Sequence, residues 1–146
     1  MPMEGSLSKE ITILLVEDDD VDAMAVERAF KKLKILNSIV RARDGLEALA
    51  LLRDPTGIQR PYIVLLDINM PRMNGLEMLV ELRRDVALSS AVVFVLTTSK
   101  SDEDQVAAYQ QHVAGYIVKD QMADGFMAAM AMLDQYWRVV ELPIKS

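Results

Sequence analysis

Apolar residues along the chain gather in five short runs, at 11–16, 39–43, 62–66, 92–96 and 116–118. Three of them are nearly continuous in Val, Ile and Leu, as strands covered on both faces tend to be. Between the runs the period changes. Residues 21–33 carry Val26, Phe30 and Leu33 at helical spacing, and 46–52 form a short leucine-rich stretch. After Asn74-Gly75, Leu76, Leu79 and Leu82 recur at helical steps. Residues 101–111 open with "SDED", a serine followed by acids, which suits a helix N-terminus. A last periodic stretch covers 123–140. Strand and helix therefore alternate five times, which predicts an α/β fold, a doubly wound five-stranded parallel sheet. The one long loop predicted, "RDPTGIQRP" at 53–61, precedes the third strand.

In an open parallel sheet, ligands sit outside the carboxyl ends of the strands. The predicted strands end there in Glu17 and Asp18, in Asp67 followed by Asn69, in Thr97, Thr98 and Ser99, and in Lys119 and Asp120. Asp44-Gly45, after the second strand, reads as a turn and helix cap. The stretch "EDDDVD" at 17–22 places five carboxylates in six positions and needs an explanation. A calcium loop of the EF-hand type would start at Asp18, but its sixth and twelfth positions are Ala23 and Ala29 instead of Gly and Glu. A nucleotide or flavin site would need glycine or hydroxyl residues after the first strand, and "EDDDVDAM" contains no glycine. A cation pocket remains. Glu17, Asp18 and Asp67 cannot all carry full charge at close range without a neutralising cation. Oxygen-only donors favour Mg²⁺, with Mn²⁺ as the alternative, over zinc. A carboxylate beside such a cation, with a lysine and a hydroxyl nearby, is equipped to accept a phosphoryl group.

The 146 residues are half apolar (51%), enough to bury the core of one domain, and carry a net charge of −6. An acidic balance argues against nucleic acid as a partner. There are no cysteines, hence no disulfide or thiolate metal site. No apolar run approaches a membrane span, and "MPMEGSLSKE" lacks the features of a signal peptide, so a cytoplasmic protein is expected. The expected organisation is a flexible leader at 1–9, one domain at 10–142 and a tail at 143–146, with no output domain.

Four segments in order, "ILLVEDD" (13–19), "LLDINMPRMNG" (65–75), "VFVLTTS" (93–99) and "GYIVKD" (115–120), resemble response-regulator receiver domains of two-component signalling. The resemblance covers roughly residues 10–140. It implies a flavodoxin-like sheet of order 2-1-3-4-5, with Asp67 as phosphoacceptor for a histidine kinase. It further implies Mg²⁺ on Glu17, Asp18, Asp67 and the Asn69 carbonyl, and Lys119 against the phosphoryl group. Thr97 and Tyr116 would be the switch pair, and Asn69 and Ser99 would tune dephosphorylation. On this reading the protein is no enzyme beyond its own phosphorylation and dephosphorylation, and it signals by binding other proteins. The stretches "RPYIVLLDINMP", "VLTTSKSDED" and "YWRVVELP" further resemble the stand-alone receivers paired with bacterial phytochrome kinases.

One position departs from the family. Proline usually follows the conserved lysine, often through a cis bond, whereas this chain has Lys119-Asp120. A non-proline cis bond costs about 3–4 kcal/mol, so a trans bond is expected here. The departure keeps a rival open, a degenerate receiver that binds partners without being phosphorylated. A haloacid-type phosphohydrolase would need a second Asp two residues after Asp67, where Asn69 stands.

Plainer roles compete for several residues. Asp67 can be a strand-end cap, Thr97 a cap for the Ser101 helix, Lys119 a solvated loop lysine and Tyr116 strand packing. His112, the only histidine, reads as a surface residue, and Arg41 and Arg43 as protective charge on an edge strand. Within 17–22, Asp19 or Asp20 reads as an N-cap and Asp22 as a first-turn acid. The last helix carries Phe126, Met130, Leu133, Trp137 and Val140 at spacings of 4, 3, 4 and 3. A second stripe, Ala129, Met132, Tyr136 and Val139, lies beside it. The first suits the sheet. Met132, Tyr136, Val139 and part of Trp137 are then left for a homodimer face, unless both stripes form one broad core face.

Overall fold

The computed structural model describes residues 11–68, 70, 73–97 and 111–118, with residues 128, 131, 132, 134 and 135, which are helical. The elements are β1 (Thr12–Val16), α1 (Asp20–Lys32), β2 (Ile39–Ala42), α2 (Gly45–Arg53), β3 (Tyr62–Asp67), α3 (Gly75–Arg84), β4 (Val92–Thr97) and β5 (Gly115–Val118). All strand pairs are parallel, and the sheet order is β2-β1-β3-β4-β5. This is the doubly wound α/β fold of order 2-1-3-4-5 expected from the sequence.

The continuous apolar runs are explained by burial on both faces. Leu14, Val16, Val64, Leu66, Val93 and Val95 join one cluster with Leu49 and Leu52 of α2 and Met78, Leu79 and Leu82 of α3. Their neighbours Ile13, Leu15, Ile63, Leu65, Phe94 and Leu96 join a second cluster with Val26 and Phe30 of α1. Successive strand residues point to opposite faces, so every position of β3 is buried and no polar alternation appears.

Element ends differ from expectation by a residue or so, for local reasons. Helices α1, α2 and α3 each begin one residue early because the cap acts before the apolar stripe starts. Asp19 accepts from the Asp22 N–H at 3.0 Å and Asp44 from the Glu47 N–H at 2.9 Å. Asn74 and Glu77 form a reciprocal capping box. Strand β2 stops at Ala42, since the Arg43 N–H turns to the Glu47 carboxylate. Strands β3 and β4 run one residue further than predicted, onto Asp67 and Thr97. The helix predicted over 101–111 lies outside the described residues except for Gln111, which forms a turn with His112.

Candidate functional site

Sheet register brings the acids together. Val16 stands beside Leu66, so one step further along β1 and β3 come Glu17 and Asp67. Carboxylate oxygens of Glu17, Asp18 and Asp67 all lie within 4.8 Å of one another. Glu17 is fully buried, Asp67 nearly so, and Asp18 is partly exposed. The Asp19 N–H donates to Glu17 Oε2 at 3.2 Å and orients that carboxylate. Three like charges in a half-dry cleft repel strongly, and an all-oxygen donor set of this kind fits a hard divalent cation.

The neighbouring acids serve other ends, as the sequence suggested. Asp19 caps α1 and Asp22 lies in its first turn. Asp20 accepts from Arg41 at 2.8 Å and Arg43 at 3.1 Å, and the Arg41 hydrogen bond, with both nearby charges, holds its carboxyl below the usual carboxylate range. Here one expectation needs correcting. Arg43 is an exposed surface charge, but the Arg41 side chain is only 20% exposed, and its Nε donates to the Glu17 carbonyl at 2.9 Å. Strand pattern alone could not show that contact, because it depends on β2 pairing with β1.

The turn after Asp67 is shaped by a close approach. The Gly75 N–H donates to the Ile68 carbonyl at 3.0 Å. A Cβ on Gly75 would stand 2.5 Å from the Asp67 carbonyl oxygen and 2.7 Å from the Ile68 Cα. Only glycine lets α3 start this close to the strand end that carries Asp67.

The remaining candidates are placed less fully. Thr97 ends β4, its backbone paired with Val118, and its hydroxyl lies outside the described atoms. Tyr116 of β5 is half-buried, in register with Val95, and packs against the cluster on the α2–α3 face. Met132 is 66% exposed. Asn69, Ser99, Lys119, Asp120, Tyr136, Trp137 and Val139 lie outside the described residues. Among those described, no helix is long and apolar enough to cross a membrane.

Comparison with known proteins agrees with this geometry. The response regulator Rcp1 of Synechocystis is 34% identical over 135 residues, covering 90% of this chain and 92% of that protein. A crystal structure of Rcp1 in its Mn²⁺-bound form superposes with a TM-score of 0.78, covering 91% of this chain and 99% of that one at 33% identity. The crystal structure of the phosphorylated cyanobacterial phytochrome response regulator RcpA gives a TM-score of 0.79 at 30% identity, over 92% of this chain and 99% of that one. The probable methanogenesis regulatory protein FilR2 of Methanothrix harundinacea is 39% identical over 127 residues, 86% of this chain and 82% of that protein. Residues 13–131 match the model of the response regulator receiver domain, and with the acids gathered at the carboxyl edge of a 2-1-3-4-5 sheet the chain belongs to that family.

Proposed function

We propose that this protein is a response regulator that accepts a phosphoryl group from a phytochrome-type histidine kinase on Asp67, with Mg²⁺ or Mn²⁺ bound beside it. The observation that carries the reading is the cluster of Glu17, Asp18 and Asp67, within 4.8 Å of one another at the carboxyl ends of adjacent parallel strands. Receiver domains bind Mg²⁺, and Rcp1 has been crystallised with Mn²⁺. RcpA, a cyanobacterial phytochrome response regulator, has been crystallised phosphorylated, which supports both the chemistry and the class of kinase.

In this reaction an Asp67 carboxylate oxygen attacks phosphorus. The O–P bond forms as the P–N bond to the kinase's phosphohistidine breaks, and the electron pair returns to the ring nitrogen. Glu17, Asp18, Asp67 and the Asn69 carbonyl would hold the divalent cation, which would supply positive charge to offset that of the phosphoryl group. Lys119 supplies a second positive group on the phosphoryl. Hydrolysis restores the carboxylate when water attacks phosphorus, and Asn69 and Ser99 are the residues assigned to its rate. Thr97 and Tyr116 read the phosphoryl group out as a population shift that a partner protein recognises. The protein is thus a phosphoacceptor and turns over no second substrate.

Acetyl phosphate with Mg²⁺ tests this directly. Intact mass should rise by one phosphoryl group in the wild type and stay unchanged in Asp67→Ala. No uptake by the wild type would favour a binding scaffold. A homodimer face formed by Met132, Tyr136, Trp137 and Val139 is supported by the exposure of Met132. A sedimentation coefficient that stays monomeric at high concentration, with and without beryllofluoride, would exclude it.

A further inference from the structure

We propose that Arg41 is a positioning residue for the cation cluster, which it serves by gripping the peptide between Glu17 and Asp18. Arg41 lies on the edge strand β2, opposite Leu15 of β1. Its Nε donates to the Glu17 carbonyl at 2.9 Å and its Nη1 to Asp20 Oδ1 at 2.8 Å. One planar guanidinium therefore ties the end of β1 to the first residue of α1, across the turn that carries Asp18. A peptide unit is planar and rigid, so holding the Glu17 carbonyl also fixes the Asp18 nitrogen and Cα. The Glu17 carboxylate has its own support from the Asp19 N–H, at 3.2 Å, so the grip acts chiefly on where Asp18 points.

Two observations separate this contact from a surface ion pair. Arg43 reaches the same Asp20 oxygen at 3.1 Å with its side chain 61% exposed, whereas the Arg41 side chain is 20% exposed. Nη2 of Arg41 is also buried with no hydrogen-bond partner among the described residues. An unpaired buried donor is costly. The fold carries that cost at a side chain that holds the Glu17 carbonyl.

The proposal rests on the cation reading of Glu17, Asp18 and Asp67, and charge separates grip from electrostatics. Removing Arg41 takes a positive charge away from a cation site and releases Asp20, and both changes should tighten cation binding through Coulomb's law. Losing the grip should weaken it. Affinity is measured by calorimetric titration of the metal-free protein with MgCl₂ and MnCl₂ at constant ionic strength, with thermal melting of the metal-free form as a separate readout. Arg41→Met should weaken Mg²⁺ binding about tenfold, the lower end of the 10–100-fold typical of residues that orient metal ligands. Arg43→Met removes the same charge without touching Glu17, and should leave affinity unchanged or slightly tighter. Arg41→Lys keeps the charge but loses the fork, and should weaken binding by about threefold without loss of fold. If Arg41→Met does not fold, a folded Arg41→Lys decides alone, since wild-type affinity there overturns the proposal. Equal shifts in Arg41→Met and Arg43→Met, or tighter binding in Arg41→Met, also overturn it. A wild-type protein that binds neither ion overturns the cation reading itself.

Discussion

The two ends of the sheet hold charge in opposite ways. At the carboxyl ends of β1 and β3, three carboxylates of like sign crowd within 4.8 Å. At the amino ends of β4 and β5, the half-buried cation Arg83 is ringed by neutral carbonyls. Its Nε donates to Gln111, Nη1 to Ser89 and Ala91, and Nη2 to His112, each at 2.8 Å. These bonds stitch the end of α3 to the turns that precede β4 and β5. Burial lowers the pKa of Arg83 from its usual value, and the carbonyl dipoles compensate for the lost hydration. A buried charge whose hydrogen bonds close on its own fold is structural. A cluster of like-charged oxygen donors is instead suited to hold a cation.

The comparison breaks most visibly at Asp18. Asp18→Ala should reduce Mg²⁺-dependent phosphoryl uptake by more than about 100-fold, beyond what loss of an outer-shell group usually does. Asp22→Ala, four residues along the same acidic stretch, should leave uptake intact. It should cost only about 0.3–1 kcal/mol, the worth of an acid in a helix's first turn. Phosphoryl uptake by mass and urea unfolding of both variants check this. Similar losses of uptake would mean that the acids of residues 17–22 act as one undivided patch.

Arg83→Met tests the other end. It strands four carbonyls at once, several at exposed turns where water can replace the lost bonds, so a loss of about 3 kcal/mol in urea unfolding is expected. Mg²⁺ affinity of the folded variant should match the wild type. A variant that loses cation affinity with little loss of stability would show that the two ends are coupled.

Legibility in the sequence divides along the same line. The strands, their two-sided burial and the meeting of Glu17, Asp18 and Asp67 followed from apolar runs and strand ends, because a parallel sheet sends all its carboxyl ends to one edge. Arg41 was misread as edge protection, since its partner is set by which strand lies beside β2. The sheet order came from family resemblance and not from periodicity. Arg83 was missed, though a signal existed. It falls seven residues after Leu76 and four after Leu79, on the apolar stripe of α3, whereas Arg84 does not. A cation on a buried stripe requires oxygen partners, yet nothing in the local sequence says that they come from Gln111 and His112, 28 and 29 residues away.

The smallest expected effect sharpens the comparison through pH. Asp85, the C-cap of α3, stands at the amino end of the sheet and accepts from Arg53 Nε at 2.9 Å. That hydrogen bond, helped by the backbone N–H of Ala87, holds its carboxyl below the usual value of 3.8. A carboxyl whose pKa is depressed on folding stabilises the native state above its unfolded pKa, and the contribution fades as pH falls through the folded value. Asp85→Asn keeps an acceptor for the Ala87 N–H but removes the charge facing Arg53. It should cost about 0.5 kcal/mol at pH 7, the scale of a partly exposed ion pair. The difference from wild type should shrink below pH 4, and adding Mg²⁺ should change neither value, because this end already balances its charges. A difference that responds to Mg²⁺, or that grows on acidification, would mean that the amino end is not closed on itself and that the contrast with the carboxyl end is one of degree.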